Sequence, residues 1–495
     1  MKITSRYVNR GRWADSLSAI TLPGNKIRAT TTVVIACVTV GLAATFLSTR
    51  YFTMMVPLIA AAFCLARWRK RASIILLLGA AYLDRLKINV VPGTAILPSH
   101  LATIAVLTST LLWIAASRRR LYPSWIDYTI AAYILLNFIS SAVNAPDPNE
   151  SLRSAVSYSL MIVGFYLLEH AIDSDALMET AFRATLAVGA AGAGVGILAI
   201  ILNHITGFAW GVNVNYYGNG YTAVYGTLFE PNLYGSYCAS VAVGLLVASE
   251  QEPANRRRLY HLAAVVSGIG VFLSLSRAAI AALILLTASY FLIQLCRSRR
   301  VWLIAPPAVL ATLTVALFAS AYGDPLFNMH LAIVQRLNTI VGGAQALDPE
   351  RLNAYANALR VIPEHLLIGW GTKSYGQLFD WISVSSQGWL GNMALRIMMD
   401  TGTVGVALVA VAVGDIIRGS LPLTDDSRAT ALRAMVVTLL LCFMTTDGST
   451  LGFFWLLLAM LRSATLHPRS NSRLNGGLST IHDNRRKVLP YANRL

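Results

Sequence analysis

The 495-residue chain has little charge for its length. Only 13% of its residues are Asp, Glu, Lys or Arg, and 56% are hydrophobic, whereas soluble domains carry about 25% charged residues. A soluble globular protein is therefore excluded. Apolar stretches of about 20 residues, long enough to cross a bilayer, instead predict an all-α, polytopic membrane protein.

The sequence also lacks the patterns of a disulfide framework or a zinc site. It has few cysteines, and none has a partner at metal-ligand spacing. We predict no metal and no other cofactor. A cleavable signal peptide is not expected, because the first apolar run begins near Thr32 behind a long basic segment. The five cysteines fall within or at the ends of apolar stretches: Cys37, Cys64, Cys238, Cys296 and Cys442.

Apolar stretches recur along most of the chain and predict about 14 transmembrane helices, in a range of about 12 to 14. No internal repeat relates one half of the chain to the other, so the inverted halves of many transporters receive no support. The predicted spans lie near residues 32–49, 52–66, 73–90, 99–117, 126–143, 151–170, 179–203, 227–249, 259–275, 277–296, 301–321, 390–416, 430–446 and 449–464.

Lys and Arg are concentrated in every second gap between these stretches. With a cytoplasmic N-terminus, about 30 of the 40 Lys and Arg lie inside, as the positive-inside rule requires. The gap at Asp173 and Asp175 lacks this bias. Orientation during membrane insertion and attraction to anionic lipid of the inner leaflet explain the net charge of +17. Membrane lipid is therefore an expected partner, and nucleic acid is not. The predicted location is the inner membrane of a bacterium, with both termini cytoplasmic.

This topology divides the chain into five segments. Segment 322–389 is predicted to be a partly helical extracytoplasmic cap, with a helix-compatible stretch from Pro349 to Pro363. Because loops carry function more often than scaffolds do, the site is expected in this cap and in the outer segment from Asn203 to about Thr227. The other segments are a basic cytoplasmic N-terminus (1–31), a helix bundle (32–321), C-terminal helices (390–466) and a disordered cytoplasmic tail (467–495).

Several arginines lie where apolar stretches meet the outer face. Arg277 follows Ser274-Leu275-Ser276 at a predicted outer turn. An arginine at the bilayer centre costs at least about 2.5 kcal/mol, which makes it a functional candidate; alternatively it snorkels to headgroups. Arg351 and Arg396 bracket the cap, where a guanidinium fork would suit phosphate. The alternative for both is an ion pair with Glu350 or Asp380, and for Arg360 an ion pair is the preferred interpretation.

Two short motifs add candidates. Glu230 precedes Pro231 at the start of a span, where it marks a helix start, pairs with an arginine or acts as a base. The segment from Gly369 to Ser374, GWGTKS, looks like a phosphate loop, but its residue order is not that of a Walker motif and it lies on the outer side. Nucleotide binding is therefore not expected.

Four segments in this order resemble the O-antigen polymerase and ligase family, the Wzy-type and WaaL-type integral membrane glycosyltransferases. The resemblance covers roughly residues 70 to 465, and its specific residues are confined to the second half. The segments are GTLFEPNLYG (226–235), SLSRA (274–278), the stretch from Arg351 through EHLLIGWG (364–371), and GNMALRIMMDTGTVG (391–405).

The resemblance implies a multi-helix glycosyltransferase of the GT-C type. Such enzymes take a glycan from an undecaprenyl diphosphate carrier at the outer membrane surface, without a nucleotide sugar or metal. It implies that Arg277 and Arg351 bind the donor diphosphate and stabilise it as it departs. Further candidates for substrate binding in or beside the matching segments are Lys373, Arg396, Asn232, Asn392 and Asp380.

One departure from the family concerns the general base. In the ligase branch the last segment opens with His-Asn, and the histidine is the expected base, whereas this chain has Gly391-Asn392. Glycine cannot accept a proton, so Glu230, His365 and Asp380 remain the candidates.

The missing histidine favours a polymerase of O-antigen, capsular or exopolysaccharide repeats, with the lipid-linked oligosaccharide as substrate and a chain-length regulator as a further partner. The alternatives are a ligase-like transferase to another lipid or protein, and a lipid-linked oligosaccharide flippase or transporter. A flippase predicts charges through the midplane of several helices, whereas here they crowd toward the outer face.

Overall fold

A computed structural model describes residues 70–467, apart from 84–87, 92–93, 118–123, 217–220, 229, 298–348, 380–389 and 424–425. The predicted spans 32–49, 52–66 and 301–321 lie outside the described residues, as do the N-terminal segment 1–31, the tail beyond His467 and the candidate Asp380.

The described residues form thirteen α-helices and two antiparallel hairpins. Strand β1 (Ile88–Val91) pairs with β2 (Thr94–Ile96), and β3 (Val212–Tyr216) pairs with β4 (Tyr221–Val224). The helices are α1 (Lys70–Ala81), α2 (Pro98–Ser117), α3 (Trp125–Val143), α4 (Pro148–Ala171), α5 (Asp175–Thr206), α6 (Pro231–Ala248), α7 (Ala254–Leu273), α8 (Arg277–Arg297), α9 (Pro349–Val361), α10 (Ser374–Leu378), α11 (Met393–Ser420), α12 (Ser427–Phe443) and α13 (Gly452–Leu466).

The described part of the chain is mostly helical and is consistent with the predicted all-α membrane protein. Five of its helices are long and apolar enough to cross a membrane: α3, α4, α5, α11, and α6 extended by the 3₁₀ turn Ser249–Gln251. The count of about 14 spans and the five-segment division stay predictions.

The span expected over 73–90 is wrong in detail, because α1 ends at Ala81 and β1 begins at Ile88. The charged sequence Asp84-Arg85-Leu86-Lys87 interrupts the apolar run between them.

Local sequence signals set the helix boundaries. Ser124 and Asp127 form a reciprocal capping box at the start of α3. The side chain of Asp147 caps α4, and that of Ser174 caps α5. Helix α5 ends at Gly207, whose φ of 71° is the left-handed conformation that glycine adopts freely. Helices α6 and α13 are buried on nearly all sides, so they occupy the centre of the bundle.

Ion pairs tie the helices together at one end of the bundle. Arg462 near the end of α13 contacts Glu169 near the end of α4, with a distance of 2.8 Å between Nε and Oε1. It also lies 3.8 Å from Asp127 at the start of α3. Arg428 at the start of α12 pairs with Asp175 at the start of α5 at 2.7 Å. The opposite end, where α6, α8 and α11 begin, carries the candidate residues, and we call it the site end.

Candidate functional site

The chain after α9 is joined to α11 by backbone hydrogen bonds. A 3₁₀ turn, Ile362–His365, ends α9, and residues 366–371 then run alongside a break in α11. The break gives residues on both sides of it free backbone groups to share with this segment. The bonds are from Trp370 N to Met399 O (2.8 Å), Gly371 N to Asp400 O (3.0 Å), Thr403 N to Leu366 O (2.8 Å) and Val404 N to Leu367 O (3.2 Å).

Glycine is required at this junction. Gly402, at the break, has φ 66° and ψ −167°, and Gly369 has φ 73°. A Cβ atom on Gly369 would lie 2.5 Å from the carbonyl carbon of Asp400, and one on Gly402 would lie 2.6 Å from the backbone nitrogen of Ile368. Both distances are far below van der Waals contact, and the obstructing atoms belong to backbone. The glycines of the Gly-Trp-Gly and Asp-Thr-Gly motifs therefore allow two backbone segments to lie side by side.

This junction holds α9 over the first turn of α11. The Nη1 atom of Arg351 donates a hydrogen bond to the Thr445 carbonyl at 2.7 Å. One turn later on α9, the Tyr355 hydroxyl donates to the Gly391 carbonyl at 2.9 Å. Asn392, the N-cap of α11, donates from Nδ2 to the Met444 carbonyl at 2.7 Å. Helix α9, the start of α11 and the loop after α12 thus meet at the site end.

A buried ion triad lies beside this meeting point. Arg396 donates from Nε to Asp400 Oδ2 at 3.3 Å, and its Nη1 pairs with Asp447 Oδ2. Asp447 also accepts hydrogen bonds from the backbone N–H and the hydroxyl of Ser449, at 3.0 and 2.6 Å. Both partners of Arg396 differ from Glu350 and Asp380, the partners considered from the sequence. Because two carboxylates hold this guanidinium, Arg396 is placed to organise the site.

Glu230 lies at the same end, immediately before α6. Its Oε1 accepts a hydrogen bond of 2.8 Å from Nδ2 of Asn232. Burial raises the pKa of the Glu230 carboxyl above its ordinary value, while the hydrogen bond from Asn232 and the positive charge of Arg351 oppose that rise. The positive charge of Arg351 thus acts on the Glu230 carboxylate, and the net effect of its surroundings is a raised pKa.

Arg277 begins α8 after a strained turn. Leu275 has φ 55°, a left-handed conformation that is unfavourable for a residue with a Cβ. The Ser274 hydroxyl accepts from Ser276 N at 3.1 Å, which stabilises the turn. A Cβ on Gly235 would lie 2.9 Å from Cβ of Ser276. This close approach places the residue before Arg277 against the second turn of α6, near Asn232. Strained residues of this kind concentrate at functional sites.

Lys373 is a second strained residue, with φ 66°. Its backbone N–H donates to Oδ1 of Asp400 at 3.1 Å, and its Nζ atom pairs with Glu150 at 3.0 Å. The side chain therefore points toward the start of α4. Lys373 supports the carboxylate that holds Arg396.

His365 is engaged in a ring contact away from this group. Its imidazole packs against the indole of Trp370, with 4.2 Å between ring centroids and 73° between planes. The indole N–H in turn donates to the Val361 carbonyl at 3.0 Å. These contacts stabilise the turn after α9.

The structure thus brings Glu230, Asn232, Arg351, Asn392 and Arg396 to the site end. Reasoning from the sequence did not single out Asp447, Asp400 or Tyr355. Asp447 lies in the two-residue gap between the predicted spans 430–446 and 449–464. An ionisable residue in so apolar a region is a functional candidate, and this signal could have identified it. Within the ranges that the structure describes, no group of three or more His, Cys, Asp or Glu could hold a metal ion.

Residues 262–410 match the family model of the O-antigen ligases. This stretch carries an O-antigen ligase domain. It begins in α7 and ends in α11, so it includes Arg277, Arg351 and Arg396 together with the junction between residues 366–371 and α11. Glu230, before α6, lies ahead of it. The predicted relationship to the O-antigen polymerases and ligases is confirmed by this match. No curated protein shows significant similarity to the chain.

With the apolar helices, this domain indicates a bacterial membrane protein of O-antigen assembly, of the membrane glycosyltransferase-like ligase or polymerase type. Membership of the O-antigen ligases implies lipid-linked oligosaccharides as substrates.

Proposed function

We propose that this protein is a polysaccharide polymerase of the bacterial inner membrane. It transfers a glycan from undecaprenyl diphosphate to the non-reducing end of another lipid-linked repeat, with the site end facing outward and the cap above it. The observation that carries the proposal is that Arg351 and the partly buried carboxyl of Glu230 lie at one end of a bundle containing an O-antigen ligase domain. A chain-length regulator is the further partner that such polymer synthesis would use.

The donor diphosphate is assigned to Arg351 and Arg277. Guanidinium groups suit phosphate because they stay charged and donate two parallel hydrogen bonds. Arg351 is half-buried and already donates to the Thr445 carbonyl, so its orientation is fixed before substrate binds. Positive charge held at the leaving diphosphate lowers the barrier without reorganisation during the reaction. Asn232 and Asn392 lie within the same group of residues and would contact the glycan.

Glu230 is the proposed general base. A base works best when its pKa lies near the working pH, and burial moves the pKa of Glu230 upward. The hydroxyl oxygen of the acceptor attacks the anomeric carbon of the donor, and its proton passes to the Glu230 carboxylate. The bond from the anomeric carbon to the diphosphate oxygen breaks, and undecaprenyl diphosphate leaves. His365 is the weaker candidate because its ring packs on Trp370.

A ligase reaction is the main alternative, and the match to the O-antigen ligase family supports it. It uses the same donor site and differs only in the acceptor. Glycine at position 391, where the ligase branch has histidine, favours the polymerase. A flippase is disfavoured because Arg351, Glu230 and Arg396 lie at the ends of helices.

A reconstituted reaction tests the proposal. Purified protein in lipid nanodiscs receives lipid-linked single repeats extracted from a strain deleted for this protein, and products are separated by size. A polymerase produces a ladder of longer lipid-linked chains and releases undecaprenyl diphosphate. Transfer only to an added second acceptor indicates a ligase. Intact repeats with no release of the carrier would refute both transferase readings.

A further inference from the structure

Among the described residues, Gly391 leaves an opening in the polar wall of the site. It directly precedes Asn392, the N-cap of α11, and is partly exposed. A Cβ atom built on Gly391 would lie 3.4 Å from the Thr445 carbonyl oxygen, 3.8 Å from the Tyr355 hydroxyl and 3.9 Å from Cζ of Arg351. A methyl group fits there at close to ordinary contact distances, but a larger side chain at position 391 would project among these three polar groups.

The groups around this opening suit a sugar hydroxyl. The Tyr355 hydroxyl uses its proton on the Gly391 carbonyl, so its lone pairs remain to accept a hydrogen bond. Arg351 supplies N–H donors on the same side. Glu230 is close enough to Arg351 to be influenced by its charge. A hydroxyl both donates and accepts, and the opening offers a partner for each role.

We propose that the space over Gly391 receives the attacking hydroxyl of the acceptor glycan, with Tyr355 as a positioning residue and the absence of a side chain at position 391 setting acceptor specificity. This inference rests on the proposed function and deepens it. The hydroxyl lies beside Tyr355 and Arg351, and its proton passes to the Glu230 carboxylate as its oxygen attacks the anomeric carbon. The donor diphosphate stays with Arg351.

Kinetics with separate donor and acceptor test the inference. The donor is a labelled, short lipid-linked polymer and the acceptor is the lipid-linked single repeat, each varied in turn with the nanodisc-reconstituted protein. Gly391→Leu should raise the KM for the acceptor at least about tenfold, because it displaces the attacking group, and raise the KM for the donor, which Arg351 binds, by clearly less. Tyr355→Phe should raise the acceptor KM by about 2- to 12-fold, the value of one hydrogen bond.

Gly414→Leu is the matched control. Gly414 lies in the same helix, and a Cβ added there meets no atom within 4 Å, so both KM values should match those of wild type. If Gly391→Leu does not fold, the acceptor KM of Gly391→Ala and of Tyr355→Phe is measured instead. The first variant adds only a methyl group and the second removes only a hydroxyl. An acceptor KM unchanged in the folded variants, or a rise in the donor KM alone, overturns the inference. Wild-type protein that forms no longer chains overturns the proposed polymerase itself, which is a separate result.

Discussion

Replacing Arg396 by methionine should destabilise the protein strongly. The Arg396 side chain is 15% exposed, and its partners Asp400 and Asp447 are only 6% and 3% exposed. Methionine keeps much of the side-chain length but leaves two buried carboxylates without a cation. Removal of one partner from a buried ion pair costs about 3–5 kcal/mol. Hydrogen bonds from Lys373 and Ser449 still reach these carboxylates, so we expect a value of about 3 kcal/mol, at the lower end of that range.

Unfolding of the purified protein in mixed micelles, with increasing SDS mole fraction, measures this change. Lys373→Met is the matched control, because its ion pair with Glu150 is 38% and 47% exposed and should contribute about 0–1 kcal/mol. Adding Asp447→Asn to Arg396→Met should recover part of the loss, since one fewer carboxylate is left buried. Equal losses for Arg396→Met and Lys373→Met, or strictly additive effects of the two changes at the triad, would refute the reasoning.

Three further predictions follow from the geometry. Glu230→Gln should abolish transfer. The variant should be at least as stable as wild type at pH 8, because a carboxyl whose pKa is raised on folding loses stabilisation as pH rises through that pKa. In a pH–rate profile, the activity of wild type should fall on acidification at a higher pH than a glutamate of ordinary pKa would give. Gly402→Ala should lower the free energy of unfolding by more than about 2 kcal/mol, because of its positive φ and the backbone contact. Gly414→Ala should instead raise it by up to about 1 kcal/mol, since alanine is the better helix former; equal unfolding midpoints would contradict this. Arg462→Met should lower the free energy of unfolding by about 3–5 kcal/mol, because it leaves the carboxylate of Glu169 without its partner. The variant protein that still folds should keep the KM values of wild type.

The sequence predicts a helix best where an apolar run follows a capping residue. The expected span 126–143 corresponds to α3 at Trp125–Val143, with Ser124 and Asp127 forming a capping box. The β1–β2 hairpin was not predicted. Its strands are short and apolar, so periodicity alone did not separate them from a helix.

The candidate site was predictable only in part, because its chemistry depends on contacts between distant segments. Arg396 and Asp447 are 51 residues apart, and no spacing rule connects them. The sequence identified Arg351 and Glu230 as individual charged residues near helix ends. That they lie at the same end of the bundle could be seen only in the fold. Glycines 369 and 402 belonged to the recognised motifs, yet their shared purpose, the side-by-side backbone segments, became apparent only in three dimensions.

The most direct test of the account is the size and lipid attachment of the cell's glycan after deletion of this protein, with complementation by wild type or by Arg351→Ala at equal expression. Single repeats on undecaprenyl diphosphate should accumulate in the deletion strain and in the Arg351→Ala strain, and wild type should restore long chains. Full-length polymer made by a well-expressed Arg351→Ala protein, or long chains persisting in the deletion strain, would contradict it.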